Sequence, residues 1–473
     1  MRPDLIPRDV DAVTPRTNAG NASRPWSRLR QFALLAWILI LPAACRVPDA
    51  PVLKDKSCGI IYDTAMEPEI RSGKTHAFIM STYSQYVDTL AEPVAVTDWA
   101  ETTCRWEVFV ATNRDRFNTD LDPASRHSRA GGNPVPSAVA VNRCLDIPCY
   151  GVCDVLLPKQ IRGKDPKMAS TKKTFGILPV AGKRSSADDE LVATADSRRL
   201  SEPEFLEGIN DQLSRSRQQD LLVFVHGFNV SFDAAVIRTA QIGLDMPFNG
   251  AVIAYCWPSQ GGVFSYNDDE PINKASVEPF TQFLTTLRAG VPDGTRINIL
   301  VHSMGNRIVM ESLSNLAQRE HRPDRERTDK PFANVALCAP DVGANDFQRW
   351  IPGVVSQAER VTLYASSGDS ALIVSKGLHS ERRAGDAWEP ATAPGLETID
   401  CSRIDLSFMG HSYYGSNTDV LSDLFMLIKE NQPAARRPHL TKLTTDAGEP
   451  YYQFTSSAPA IYVTWHFDDA ERN

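Results

Sequence analysis

Ser303 lies in the run Ile299-Leu300-Val301-His302-Ser303-Met304-Gly305-Asn306-Arg307, where an aliphatic stretch breaks at a Ser-x-Gly turn. A serine at a sharp strand-to-helix turn presents its hydroxyl at the end of a sheet, which suits nucleophilic attack on an acyl carbonyl. The tripeptide alone carries little weight, because Ser57, Ser259, Ser366 and Ser375 also begin Ser-x-Gly. Only Ser303 follows pure aliphatics and precedes apolar positions at helical spacing, namely Ile308, Val309, Leu313 and Leu316. A second run, Leu221-Leu222-Val223-Phe224-Val225, ends in His226-Gly227-Phe228-Asn229. Two strand-ending turns of these types make an enzyme of acyl transfer the leading expectation.

Acyl transfer by serine needs a base within hydrogen-bond reach and a carboxylate to orient that base. For a strand-to-helix elbow the chain order is nucleophile, acid, base, so both partners are sought downstream of Ser303. Asp369 ends the turn Ala365-Ser366-Ser367-Gly368-Asp369, just past a predicted strand. Asp341 occupies the same kind of position one strand earlier and is the alternative acid; its other reading is a helix cap. Among the histidines, His321 falls in a charged loop, His379 precedes the strand predicted over 396–400, and His439 and His466 lie near the end of the chain. His411, in Met409-Gly410-His411-Ser412, follows that last strand on a glycine-flanked loop and is the expected base. The oxyanion hole requires two N–H groups about 3 Å from the developing charge. Met304, directly after the nucleophile, and Phe228, after His226-Gly227, are the expected donors.

Elements that could position these groups alternate along the chain. Strands are predicted over 106–112, 150–158, 221–225, 251–255, 299–302, 335–341, 360–365 and 396–400, with helices over 205–213, 232–244, 276–287 and after Ser303. Near-continuous apolar strands separated by helices imply an α/β fold, a mostly parallel central sheet with helices on both faces. In such a sheet, chemistry sits at the carboxyl ends of the strands.

The 473 residues, 42% hydrophobic and 23% charged, suffice for a large core, and a net charge of −8 without a basic stripe excludes nucleic acid as the main partner. Arg24, Arg28 and Arg30 precede the apolar run 32–41 and then Pro42-Ala43-Ala44-Cys45. That order describes an export signal over 1–45, too short in its apolar part to cross a bilayer core of about 30 Å. Its ending resembles a lipoprotein signal and would place a lipid on Cys45, although Pro42 stands where a large aliphatic is usual. An N-terminal segment over 46–103 carries a predicted helix near 83–90. The main domain is expected over 104–432, interrupted by a disordered insertion at 118–142 whose Arg, Gly, Pro and Ser residues show no period. Residues 433–473 read as a tail. Nine cysteines are compatible with an oxidising compartment; disulfides are open to Cys58, Cys104, Cys144, Cys149 and Cys153, while Cys256 and Cys338 read as core. Cys144, Cys149 and Cys153 have no histidine or further cysteine at zinc spacing around them, so no metal is expected.

With Ser303, Asp369, His411 and His226-Gly227-Phe228-Asn229 together, the chain resembles the α/β-hydrolase superfamily. It looks most like a bacterial branch of uncharacterised α/β hydrolases, often esterase-like or lipoproteins. The matching blocks are 108–114, 150–158, 223–229, 301–307, 339–342, 363–372 and 410–413. The resemblance implies Ser303 as nucleophile, Asp369 as acid and His411 as base, with no cofactor. One departure is Val301, where this branch commonly has alanine. The expected activity is hydrolysis of small-molecule or lipid carboxylic esters at the cell envelope, with a lipid anchor holding the protein to the membrane. The alternative is a catalytically silent scaffold that binds at the envelope. Oligomeric state is not legible.

Overall fold

The computed structural model describes residues 94–99, 103–114, 144–158, 194–246, 248–260, 266–320, 330–367, 372, 375, 381–403, 418–437 and 440–454. Among these residues twelve strands form one sheet: β1 (Val96–Trp99), β2 (Thr103–Arg114), β3 (Cys144–Pro158), β4 (Thr194–Leu200), β5 (Asp220–Val225), β6 (Gly250–Cys256), β7 (Arg296–His302), β8 (Phe332–Cys338), β9 (Ala358–Ala365), β10 (Leu396–Asp400), β11 (Leu440–Thr444) and β12 (Pro450–Phe454). Their order is β11-β12-β10-β9-β8-β7-β5-β6-β2-β3-β4, with β1 paired to β2. Strands β2, β6, β5, β7, β8, β9, β10 and β12 are parallel neighbours. Strands β1, β3, β4 and β11 add antiparallel pairs.

Helices α1 (Glu202–Arg215), α2 (Phe232–Asp245), α3 (Tyr266–Ala275), α4 (Val277–Gly290), α5 (Gly305–Glu320), α6 (Ala344–Gln357) and α7 (Thr418–Ile428) connect them. Sequence sets the helix starts. Ser201 and Glu204 cap α1 reciprocally, and the Ser231 hydroxyl accepts the Ala234 N–H at the start of α2. Strand side chains alternate between two cores, as the pleat requires. Leu221, Val223 and Val225 of β5 pack in the layer that holds Leu213 of α1, Phe280 of α4, Leu313 of α5 and Ile351 of α6. Leu222 and Phe224 face the other layer, with Val236 of α2 and Leu424 of α7. Helices therefore cover both faces, which is why every residue of β5, β6 and β8 is buried.

Residues 440–454, read as tail from sequence, form the hairpin β11–β12, whose second strand pairs with β10. Its strands are short and half-exposed, so their hydrophobic alternation is faint. Gly448, at φ 87°, turns the hairpin. Strand β4 and most of helix α6 are likewise absent from the elements predicted by sequence; β4 carries exposed polar residues, and Pro352 interrupts the pattern of α6.

The two ends of the parallel strands carry different polar chemistry. At the amino end, Lys429 Nζ lies 3.0 Å from Asp220 Oδ2 at the start of β5, and Arg296 Nε lies 3.4 Å from Oδ1. Burial raises the Asp220 pKa above the ordinary carboxylate value, against the opposing pull of Lys429 and Arg296. The carboxyl end holds the groups described next.

Candidate active site

Strand order reverses around β5. The chain passes from β5 to β6 on one side, then crosses to β7 on the other. The crevice beyond the carboxyl ends at such a reversal is where ligands bind in open α/β sheets. Val225 pairs with Val301, so the turns that follow, His226-Gly227 and His302-Ser303, are brought side by side.

Ser303 stands between the end of β7 and the start of α5 with φ 50°, a left-handed conformation that a non-glycine residue adopts at a cost. Hydrogen bonds hold it there. Its N–H donates to the Cys338 carbonyl at 2.9 Å, and its own carbonyl accepts the N–H groups of Asn306 at 3.1 Å and Asp341 at 3.3 Å. The Asn273 side chain donates to the Met304 carbonyl at 3.1 Å. Asn229 and Ala339, at the ends of β5 and β8, are also left-handed, with φ of 58° and 44°. Among the described residues, three of the five left-handed non-glycine residues thus lie beyond the carboxyl ends of three adjacent parallel strands.

Close approach explains both glycines here. A Cβ on Gly227 would stand 2.9 Å from the Ser303 Cβ and 3.0 Å from His302 Nδ1. A Cβ on Gly305 would meet the His226 carbonyl at 2.5 Å and the side chains of Val225 and Val301 at 3.2 Å. The bulk of Val301 is therefore accommodated on the side where residue 305 has no side chain.

The loop 226–230 is clamped from neighbouring strand ends. Trp257 Nε1 donates to the His226 carbonyl at 2.8 Å, and the Asn229 N–H donates to Ser259 Oγ at 3.0 Å. Ser259 Oγ in turn donates to Asp269 at 2.7 Å, while Arg114 donates to the carbonyls of Val230 and Ser259. His226 is fully buried against Trp257, and its Nδ1–H donates to the Gly227 carbonyl. Burial lowers its pKa to about 3, assisted by the nearby Arg114 charge, so the imidazole stays neutral and is no proton shuttle at ordinary pH.

Asp341 is buried at the end of β8 and occupied on all sides. Tyr266 and Ser375 donate to its oxygens at 2.5 Å each, Arg307 Nη2 lies at 3.1 Å and Arg383 Nε at 3.2 Å. Burial would raise its pKa, but Arg307 and Arg383 with the two hydroxyls outweigh that and hold it below the usual range. Arg307 also reaches Glu270 at 2.7 Å, and the Tyr266 ring meets Phe228 edge-on at 5.3 Å.

Of the residues predicted from sequence, Ser303, Met304 and Phe228 come together at one rim, and Asp341 lies beside them. Asp369, His411 and Cys45 fall outside the described residues, as do His321, His379, His439, His466 and the insertion 118–142. Cys149 and Cys153 stand as thiols. Sequence reasoning assigned no role to Asn306, Arg307, Arg114 or Arg383. Asn113-Arg114 and Asn306-Arg307 each lie within a few residues of the end of an apolar strand, and a charge buried at that point must find a partner.

Residues 201–430 match the model of a family described as "Alpha/beta hydrolase of unknown function (DUF900)". Residues 201–430 have an α/β-hydrolase fold. It accounts for the parallel sheet, the elbow at Ser303 and the helices on both faces. An uncharacterized protein of Nostoc sp., alr1448, is 23% identical over an alignment covering 24% of this chain. The chain spans about a third (36%) of the length of that curated relative. Among solved structures, an inhibited esterase B from Lactobacillus rhamnosis is similar at 12% identity and a TM-score of 0.24, covering 40% of this chain and 68% of that one.

Proposed function

We propose that this α/β hydrolase is an exported serine hydrolase of carboxylic esters. The observation that carries the proposal is the left-handed Ser303 between β7 and α5, with the Gly227 turn packed directly against it. That arrangement costs backbone strain and has a chemical use only if the hydroxyl must stand at the sheet end beside N–H donors.

In the proposed reaction, Ser303 Oγ attacks the ester carbonyl while His411 takes its proton. The negative oxygen of the tetrahedral intermediate lies against the N–H groups of Met304 and Phe228. Collapse breaks the bond to the alkoxy group, which leaves as the alcohol with the proton from His411. Water then attacks the acyl-enzyme by the same route and releases the acid. Asp369 holds the imidazole. It is preferred over Asp341 because the oxygens of Asp341 already accept from Tyr266, Ser375, Arg307 and Arg383.

The substrate class is a small-molecule or lipid ester, met at the cell envelope, where a lipid on Cys45 would anchor the chain. Labelling with a fluorophosphonate probe tests the central claim. The full chain should label, Ser303→Ala should not, and aryl-ester turnover should fall by about a thousandfold or more in that variant. Folded protein that neither labels nor turns over esters would identify a silent scaffold instead. Fractionation of cells carrying the native chain and Cys45→Ala tests the anchor: release from the membrane in the variant is expected.

A further inference from the structure

The Asn306 side chain is fully buried one residue into α5. Its Nδ2 donates to the Ser303 carbonyl at 2.9 Å and to the Cys338 carbonyl at 3.2 Å. Neither acceptor needs it. The Ser303 carbonyl already receives the N–H groups of Asn306 and Asp341, and the Cys338 carbonyl already receives the N–H of Ser303. Meanwhile Asn306 Oδ1 is buried and has no hydrogen-bond partner among the described residues. A buried unpaired amide oxygen is destabilising, and in a native structure it calls for an explanation. Asn306 thus satisfies groups that are already satisfied and leaves one of its own unmet.

The peptide bond supplies the explanation. Ser303 C=O and Met304 N–H belong to one planar trans unit and point in opposite directions. Whatever fixes the direction of that carbonyl fixes the direction of that N–H. Three donors converging on the carbonyl also polarise the unit and strengthen the N–H as a donor. The amide of Asn306 adds the third and ties the unit to β8 through Cys338.

We infer that Asn306 is a positioning residue for the oxyanion hole: its grip on the Ser303 carbonyl aims the Met304 N–H at the developing negative oxygen. The inference rests on the ester-hydrolase reading given above and adds to it the residue that prepares one donor.

The test uses the full chain with Asn306→Leu, which fills a similar volume, and Asn306→Ala. Three quantities are read: the thermal midpoint, kcat and KM on p-nitrophenyl butyrate, and inhibition by an alkyl boronic acid, whose serine adduct places an oxygen in the hole. Asn306→Leu is expected to keep or raise the thermal midpoint and to hold KM within about twofold. Its kcat should fall about tenfold or more, with boronate affinity falling by a similar factor, as expected for a weakened oxyanion donor. A purely structural amide would lower stability and activity together. The inference is overturned if Asn306→Leu matches the native chain in kcat and boronate affinity, or if kcat falls while boronate affinity holds. It is overturned equally if neither variant folds, since the amide would then be required for folding. A native chain that shows no Ser303-dependent turnover sinks the ester-hydrolase reading itself. A native chain that does, with an unaffected Asn306→Leu, sinks this inference alone.

Discussion

A methyl group on Gly227 would stand 2.9 Å from the Cβ of Ser303, inside the distance at which two such carbons can coexist. The loop of β5 and the elbow of β7 are therefore matched at one atom position. Gly227→Ala should push the loop off the elbow and displace the Phe228 N–H. The expected result is a fall in kcat of about a hundredfold, the scale of losing one oxyanion donor, with slower fluorophosphonate labelling. Unchanged turnover in a folded Gly227→Ala chain would count against Phe228 as a donor.

Asp341 neutralises Arg307 and Arg383 in a buried cluster. Asn at 341 would remove the carboxylate that Arg383 faces and leave Arg307 with Glu270, and losing one partner of a buried ion pair costs about 3–5 kcal/mol. Urea unfolding of Asp341→Asn should show a loss of that order. Because its pKa is depressed, Asp341 contributes its stability above the ordinary carboxylate value and loses it as pH falls through its own lower value. The variant should lack this acid-side loss; an unaltered profile would argue against the cluster.

His226 adds a second acid-side dependence of a different origin. An ordinary histidine titrates at 6.5, whereas His226 in the fold titrates at about 3, so between these values the unfolded chain binds a proton that the folded chain refuses. Stability should then fall by about 1.4 kcal/mol per pH unit below that upper value. His226→Asn, which can retain a donor toward the Gly227 carbonyl, should flatten the slope of stability against pH by roughly one proton. An identical slope in both chains would show that the imidazole is not excluded from protonation.

Lys429 and Asp220 form a buried pair at the end of the sheet away from Ser303. Lys429→Ala should cost about 3 kcal/mol, toward the lower end for breaking such a pair because Arg296 remains nearby. Turnover per folded molecule should be unchanged. A large loss of kcat in fully folded variant would show that the two ends of the sheet are coupled.

The parallel core was legible because its strands are buried on both faces. Leu221–Val225 and Ile299–Val301 read as unbroken aliphatic runs, and helices between them supply the 3.6-residue period. Strand β4 and the β11–β12 hairpin were not legible, since Arg198, Arg199 and Lys442 face solvent and leave little apolar pattern. The turns that carry Ser303, Phe228 and Met304 were legible because turn chemistry is local: Ser-x-Gly after a strand and His-Gly after a strand each announce themselves. The contacts of Asn306 were not legible, because one of its acceptors is the Cys338 carbonyl, 32 positions away in the chain. Arg114 is a similar case, since the carbonyls it holds lie on the loops after β5 and β6.

By itself the sequence determined the class of fold and the serine to examine, because burial periodicity and elbow turns are encoded within a few neighbouring residues. Tertiary structure decided which distant groups surround that serine. Only the pairing of β5 with β7 and of β7 with β8 brings Gly227 against Ser303 and the Cys338 carbonyl onto Asn306. Strand neighbours are chosen by the packing of whole faces, a property of the assembled sheet that no short stretch of residues contains.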